Sequence, residues 1–148
     1  MNTDSYTTTI EVMQKPEEVF KAINDVSAWW SGKIEGDTKS LGDEFTYQYK
    51  EMHKSMQKIT EMVQDKRIVW HVVDANISFT KVKDEWKGTD IIFDISEKDG
   101  KTVLTFTHQG LKSSFECYNA CSEGWKSLIT GNLYKLITTG EGQPDVFA

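Results

Sequence analysis

Apolar residues recur along this chain with two periods, every second residue through the middle and every three to four residues near the end, and the order of these periods predicts the architecture. Phe45, Tyr47 and Tyr49 alternate with Thr46, Gln48 and Lys50. Ile91, Phe93 and Ile95 form a second such run, and Leu104, Phe106 and His108 a third. Each predicts a strand with one face turned inward. Further strands are expected from about Tyr6 to Val12, from Lys54 to Val63, from Arg67 to Val73 and from Trp86 to Ile95, with connections short enough to favour antiparallel neighbours. Asp99-Gly100 has the composition of a two-residue hairpin turn. The stretch Asn76 to Glu85 carries no clear period and is ambiguous, a short extended piece with Phe79 being one reading.

Helical spacing takes over after Gly110-Leu111. Tyr118, Cys121, Trp125, Leu128, Ile129, Asn132 and Leu136 share one stripe at 100° per residue, while Glu116, Glu123, Lys126 and Lys135 lie mostly off it. Ser113 with Glu116 has the form of a capping box, and Gly140 supplies a left-handed stop. A helix of about 25 residues, roughly 37 Å long, is expected to cross the sheet. Gly124 and Gly131 each cost about 1 kcal/mol of helix propensity, so something is expected to pack closely against them. Two short helices follow the first strand. Lys15-Pro16-Glu17-Glu18 opens one that buries Val19, Phe20 and Ile23, and Asn24 or Asp25 can cap a second carrying Val26, Trp29 and Trp30. A polar loop from Ser31 to Asp43 comes next. The fold class is therefore α+β, a curved antiparallel sheet wrapped around a long C-terminal helix.

Composition narrows the range of functions. With 148 residues and 38% hydrophobic content, residues 1–148 suit one domain, its core from about Tyr6 to Gly140 and a short tail after it. A net charge of −6 and scattered lysines and arginines argue against nucleic acid, whose phosphates demand a basic surface. No apolar run is long enough for membrane insertion, and the opening residues lack the pattern of a secretion signal, so a cytoplasmic protein is expected. Cys117 and Cys121, one helical turn apart, are poorly placed for a disulfide and are read as thiols. With only scattered histidines to complete a ligand set, no metal and no cofactor are expected. Neither a serine-hydrolase elbow nor a phosphate-binding glycine loop is present.

The candidate chemistry lies between helix and sheet. Tyr118, Cys121 and Trp125 on the helix should meet Phe45, Tyr47, Trp70, Phe93 and Phe106, with Trp29 and Trp30 near an entrance. Such rings can fill a dry core. They can equally wall a cavity for a small hydrophobic or aromatic ligand, since aromatic linings with a few polar groups are typical of ligand sites. Asn132 sits amid the apolar stripe and needs a partner, in the sheet or on a ligand. His108 should point toward the helix, where it could hold a ligand oxygen or exchange a proton, but no acid–base partner is evident. His71 should take the opposite face.

Several local sequences together resemble one superfamily. These are Trp29-Trp30, Arg67-Ile68-Val69-Trp70, Trp86-Lys87-Gly88-Thr89, the strand from Lys101 to Gly110-Leu111, and Cys121-Ser122-Glu123-Gly124-Trp125. In this order they resemble the SRPBCC (START-like) superfamily, and within it the family named after the activator of the ninety-kilodalton heat-shock protein ATPase. The resemblance runs from Tyr6 to Gly140 and implies a helix-grip fold of six or seven strands with a hydrophobic cavity. Three functions are weighed: non-catalytic or weakly catalytic binding of a small hydrophobic, aromatic or lipid-like molecule, a stress-related co-chaperone that contacts a chaperone, and an enzyme of the cyclase or hydrolase type, in each case as a monomer or homodimer. The first is preferred, because fold does not fix activity and no catalytic residue is indicated.

Overall fold

Seven antiparallel strands form one sheet in the computed structural model, which describes residues 5–30, 32–50, 53–77, 85–111 and 118–141. They are β1 (Ser5–Val12), β2 (Lys33–Gly36), β3 (Glu44–Tyr49), β4 (His53–Val63), β5 (Arg67–Ile77), β6 (Asp90–Lys98) and β7 (Lys101–Gln109). Their order across the sheet is β1-β7-β6-β5-β4-β3-β2, so the first strand joins the last and every other neighbour is a hairpin partner. Asp99 and Gly100 turn the β6–β7 hairpin with φ of 53° and 80°, the left-handed pair that a type I′ turn requires.

The sheet coils around its concave face through two bulges in its longest strands. Met56 pairs with Asp74 but Gln57 with Val72, which leaves Val73 as an extra residue in β5. Ile59 pairs with Trp70 but Glu61 with Val69, which leaves Thr60 as an extra residue in β4. An extra residue bends its strand and swaps which side chains face inward. In β5 the buried set accordingly passes from Ile68, Trp70 and Val72 to Ala75 and Ile77.

Between β1 and β2, α1 (Pro16–Asn24) buries Val19, Ala22 and Ile23, and the Glu18 carboxylate accepts the Lys15 backbone N–H at 2.9 Å. The expected second helix is a single 3-10 turn, Val26–Ala28. Part of the expected polar loop is instead β2, whose four residues owe their pairing to β3 and not to any apolar alternation of their own. At the other end, Trp86 to Gly88 form a turn, and β6 begins only at Asp90.

The C-terminal helix closes the concave face in three pieces: α2 (Tyr118–Ser127), a wide π-helical turn (Leu128–Leu133) and α3 (Tyr134–Thr139). Gly140, at φ 81°, ends it and donates its N–H to the Leu136 carbonyl. Trp125, Leu128, Ile129, Asn132, Leu133 and Ile137 are buried against the sheet. Ser113, Glu116 and Cys117 lie outside the described residues, as do residues 78–84 of the stretch without clear period and 142–148 of the tail.

The close packing expected at the two helical glycines is absent. Among the described residues, a Cβ added at Gly124 or at Gly131 meets nothing within 4 Å. Gly131 is solvent-exposed, so Gly131→Ala should recover helix propensity without a clash, adding about 1 kcal/mol and raising the melting temperature by about 2–4 °C. A fall in melting temperature on calorimetry would show instead that the wide turn needs the freedom of glycine.

Candidate functional site

A ladder of aromatic rings runs under the helix and ends at a hollow. Trp29 and Trp30 each lie nearly parallel to Trp70, at 6.2 Å and 15° and at 5.8 Å and 12°. Trp30 in turn stacks on Tyr47 at 3.9 Å. Polar bonds at its inner end fix the ladder. The Trp29 indole N–H donates to the Ile23 carbonyl at 3.2 Å, and the Asn132 amide donates to the Trp29 carbonyl at 2.9 Å. The tandem tryptophans thus join α1, the sheet and the C-terminal helix.

Beyond Tyr47 lies a hollow of about 490 Å³. Among the described residues its walls are Trp30, Tyr47, Tyr49, His53 and Trp86 on one side and Cys121, Gly124, Trp125 and Leu128 of the helix on the other. Ala120, Glu123 and Ser127, all exposed, border it. Gly124 contributes space, because the helix presents no side chain there.

Two histidines stand on either side of Trp86, with ring centroids 4.3 Å (His53) and 4.7 Å (His108) from it. His108 is fully buried and both its ring nitrogens are in use. The Trp125 indole N–H donates to Nδ1 at 3.0 Å, which obliges the proton of the neutral ring to sit on Nε2, 2.8 Å from Thr89 Oγ1. Thr89 then donates to the Trp86 carbonyl at 2.6 Å. Gly110 permits this approach: a Cβ there would lie 2.9 Å from Thr89 Cγ2. Burial lowers the pKa of His108 to about 3, with the neighbouring His53 adding to the effect. His53 is half-buried at the wall of the hollow and deep in protein mass, and desolvation lowers its pKa to about 4. Its Nε2 lies 3.1 Å from Ser55 Oγ, which also accepts the Gln57 amide N–H at 2.5 Å. Burial also raises the pKa of the Tyr47 hydroxyl far above its ordinary range, so Tyr47 and His53 present neutral polar groups to the hollow.

Of the residues expected at a ligand site, Trp30, Tyr47, Cys121 and Trp125 line the hollow. Trp29, Phe45, Trp70, Phe93, Phe106 and Asn132 do not, being packed in the closed core. Trp29, expected near an entrance, is fully buried. Tyr118 is half-buried against the core beside Tyr6, and His108 lies one layer behind the wall. His71 does take the outer face, 2.8 Å from Asp90. Tyr49, His53 and Trp86 were not anticipated in the lining. Tyr49 continues the Phe45–Tyr47 alternation, and His53 begins an inward polar row with Ser55 and Gln57, so both had a signal in the sequence.

Histidines held neutral by burial make stability depend on pH. The unfolded chain binds protons below about pH 6.5 while folded His108 stays neutral to about 3, so stability is complete above pH 6.5 and declines as pH falls through that interval. For His108 the loss between pH 7 and pH 5 is about 2 kcal/mol, readable by urea unfolding at the two values. A flat profile, or one that His108→Gln leaves unchanged, would contradict a neutral buried ring.

Comparison with known proteins follows the same architecture. A family model described as Activator of Hsp90 ATPase homolog 1-like protein matches residues 14–138. No curated protein matches. Among solved structures, the Aha1 dimer from Colwellia psychrerythraea superposes with a TM-score of 0.74 at 19% identity, covering 93% of this chain and 98% of that one. CalU16 from Micromonospora echinospora gives 0.65 at 16% identity, covering 91% and 76%. DynU16, a protein of the dynemicin biosynthetic locus, gives 0.69 at 13% identity and covers 95% of this chain, which spans only 49% of DynU16. At these identities the neighbours establish the helix-grip fold, and the family model, matched over most of the sequence, makes this chain a member of the family of Activator of Hsp90 ATPase homolog 1-like proteins.

Proposed function

We propose that this protein binds a small apolar aromatic molecule in the hollow between its sheet and its C-terminal helix, without transforming it. The observation that carries this reading is the hollow itself, about 490 Å³, within the usual range for small-molecule sites and walled by aromatic rings with a few neutral polar groups. A non-catalytic role is favoured by His108, the residue with the best sequence claim to acid–base work, because both its ring nitrogens are engaged by Trp125 and Thr89. A co-chaperone role, a place in the cytoplasm and assembly in pairs like the Colwellia neighbour draw on family likeness and composition, whereas the hollow belongs to this chain's own residues. Among the described residues no helix is long and apolar enough to cross a membrane.

Gly124 offers a way to close the hollow without disturbing the core. Its added Cβ meets nothing within 4 Å among the described residues, so Gly124→Leu should project its side chain into the empty space while gaining helix propensity. The wild-type protein should bind N-phenyl-1-naphthylamine saturably, read as enhanced fluorescence, and the variant should bind it at least about tenfold more weakly at equal or higher melting temperature. Equal binding by the two proteins would locate the probe elsewhere and remove this reading.

A further inference from the structure

The two histidines beside Trp86 differ in one respect. His108 has both ring nitrogens bonded within the protein, whereas His53 has only one, Nε2, facing Ser55 Oγ. Its Nδ1 meets no hydrogen-bond partner among the described residues, and it belongs to a ring that lines the hollow. The ring is also held in place. Tyr47 packs edge-on at 5.2 Å and Trp86 at 4.3 Å, so the ring is fixed at the wall of the hollow.

The row behind the ring bears on which nitrogen carries the proton. Ser55 Oγ receives a hydrogen from the Gln57 amide, and among the described residues the acceptor in reach of its own hydrogen is His53 Nε2. With the Ser55 hydrogen directed to it, that nitrogen is bare, and the single proton of the neutral imidazole sits on Nδ1. From this geometry we infer that His53 is the specificity residue of the hollow, donating its Nδ1–H to a carbonyl oxygen on a flat aromatic ligand. The inference rests on the hollow being the ligand site and adds the chemical class of its occupant, an aromatic carbonyl compound. A ligand offering only a donor at the same position would meet a second donor and leave a buried polar group unpaired. The arrangement resembles a one-point lock: aromatic walls accept any flat ring system, and His53 tells an acceptor from a donor.

Three tricyclic molecules of nearly one shape test this. Fluorenone carries a carbonyl, fluorene a methylene and carbazole an N–H donor at the same ring position. Each is titrated as a competitor of N-phenyl-1-naphthylamine. Fluorenone should bind about five- to tenfold more tightly than fluorene, the worth of one neutral hydrogen bond, with carbazole no better than fluorene. In His53→Phe the fluorenone-to-fluorene ratio should fall to about one, and because a ratio is read, any general loss of affinity cancels. Equal affinities in the wild type, a preference for carbazole, or a preference that survives His53→Phe would overturn the assignment while leaving the hollow as a binding site. Failure of all three to compete with a bound probe, or no binding of the probe at all, would overturn the ligand-site reading as well. Should His53→Phe not fold, nitrogen-15 spectra of the wild-type imidazoles decide the matter: His53 should carry its proton on Nδ1 and His108 on Nε2, and a proton on His53 Nε2 would refute the proposal.

Discussion

The hydrogen bond from the Trp125 indole to His108 fastens the C-terminal helix to the sheet at one defined point. Apolar packing alone would let a helix slide or rotate over a concave sheet, since the hydrophobic effect has no direction. A bond at 3.0 Å between two buried side chains removes that freedom. It also extends in both directions, through Thr89 to the Trp86 carbonyl on the sheet side and through the position of Trp125 to the face that α2 turns toward the hollow. The proton arrangement is forced along the whole series, and that requires His108 to remain uncharged. Burial supplies this condition, so the same desolvation that lowers its pKa keeps the fastening intact.

The hollow follows from what the sheet and helix do not bring to one place. The bulges at Thr60 and Val73 bend β4 and β5, and the helix that spans the bend offers Gly124 where a side chain would otherwise fill the gap. The inward face of β4 is unusual in beginning with His53, Ser55 and Gln57, a polar row on the side where its neighbours bury isoleucine, phenylalanine and tryptophan. Among the described residues, Gln57 Oε1 and the indole nitrogens of Trp70 and Trp86 are buried without hydrogen-bond partners. Each such group costs about 1–3 kcal/mol, so this end of the core is stabilised less than its apolar content suggests. Polar atoms retained at that cost fit a region organised around more than packing.

Much of the fold could be read from the residues because its strongest signals are local. Alternation at Phe45–Tyr49, Ile91–Ile95 and Leu104–His108 and the two-residue turn at Asp99-Gly100 each fix an element without reference to any other. The elements that escaped depend on partners. Strand β2 has one inward apolar residue, Ile34, and exists because β3 supplies its hydrogen bonds. Trp86 looks like the start of a strand, yet Gly88 at φ 84° makes a turn of it and carries the indole to the wall of the hollow. The site was legible only in part for the same reason. That some aromatic rings would face inward follows from period; which of them border empty space depends on bulges and on a missing side chain across the gap. Gly124 is the clearest case, since the sequence suggested crowding at a position that faces a void.

The pairing of β1 with β7 has a consequence for how the protein is made. Thr7 lies opposite Thr107, so the first strand of this sheet has no mate until almost the entire sheet has been synthesised. The hairpins from β2 to β7 can zip in sequence, but β1 must wait, and the residues that cover the tryptophans emerge later still. During that interval a strand edge and a bed of indole rings are both uncovered, a combination prone to association with other nascent chains. The charge of Glu11 in β1 works against stray pairing, which suits a segment that spends its early life alone.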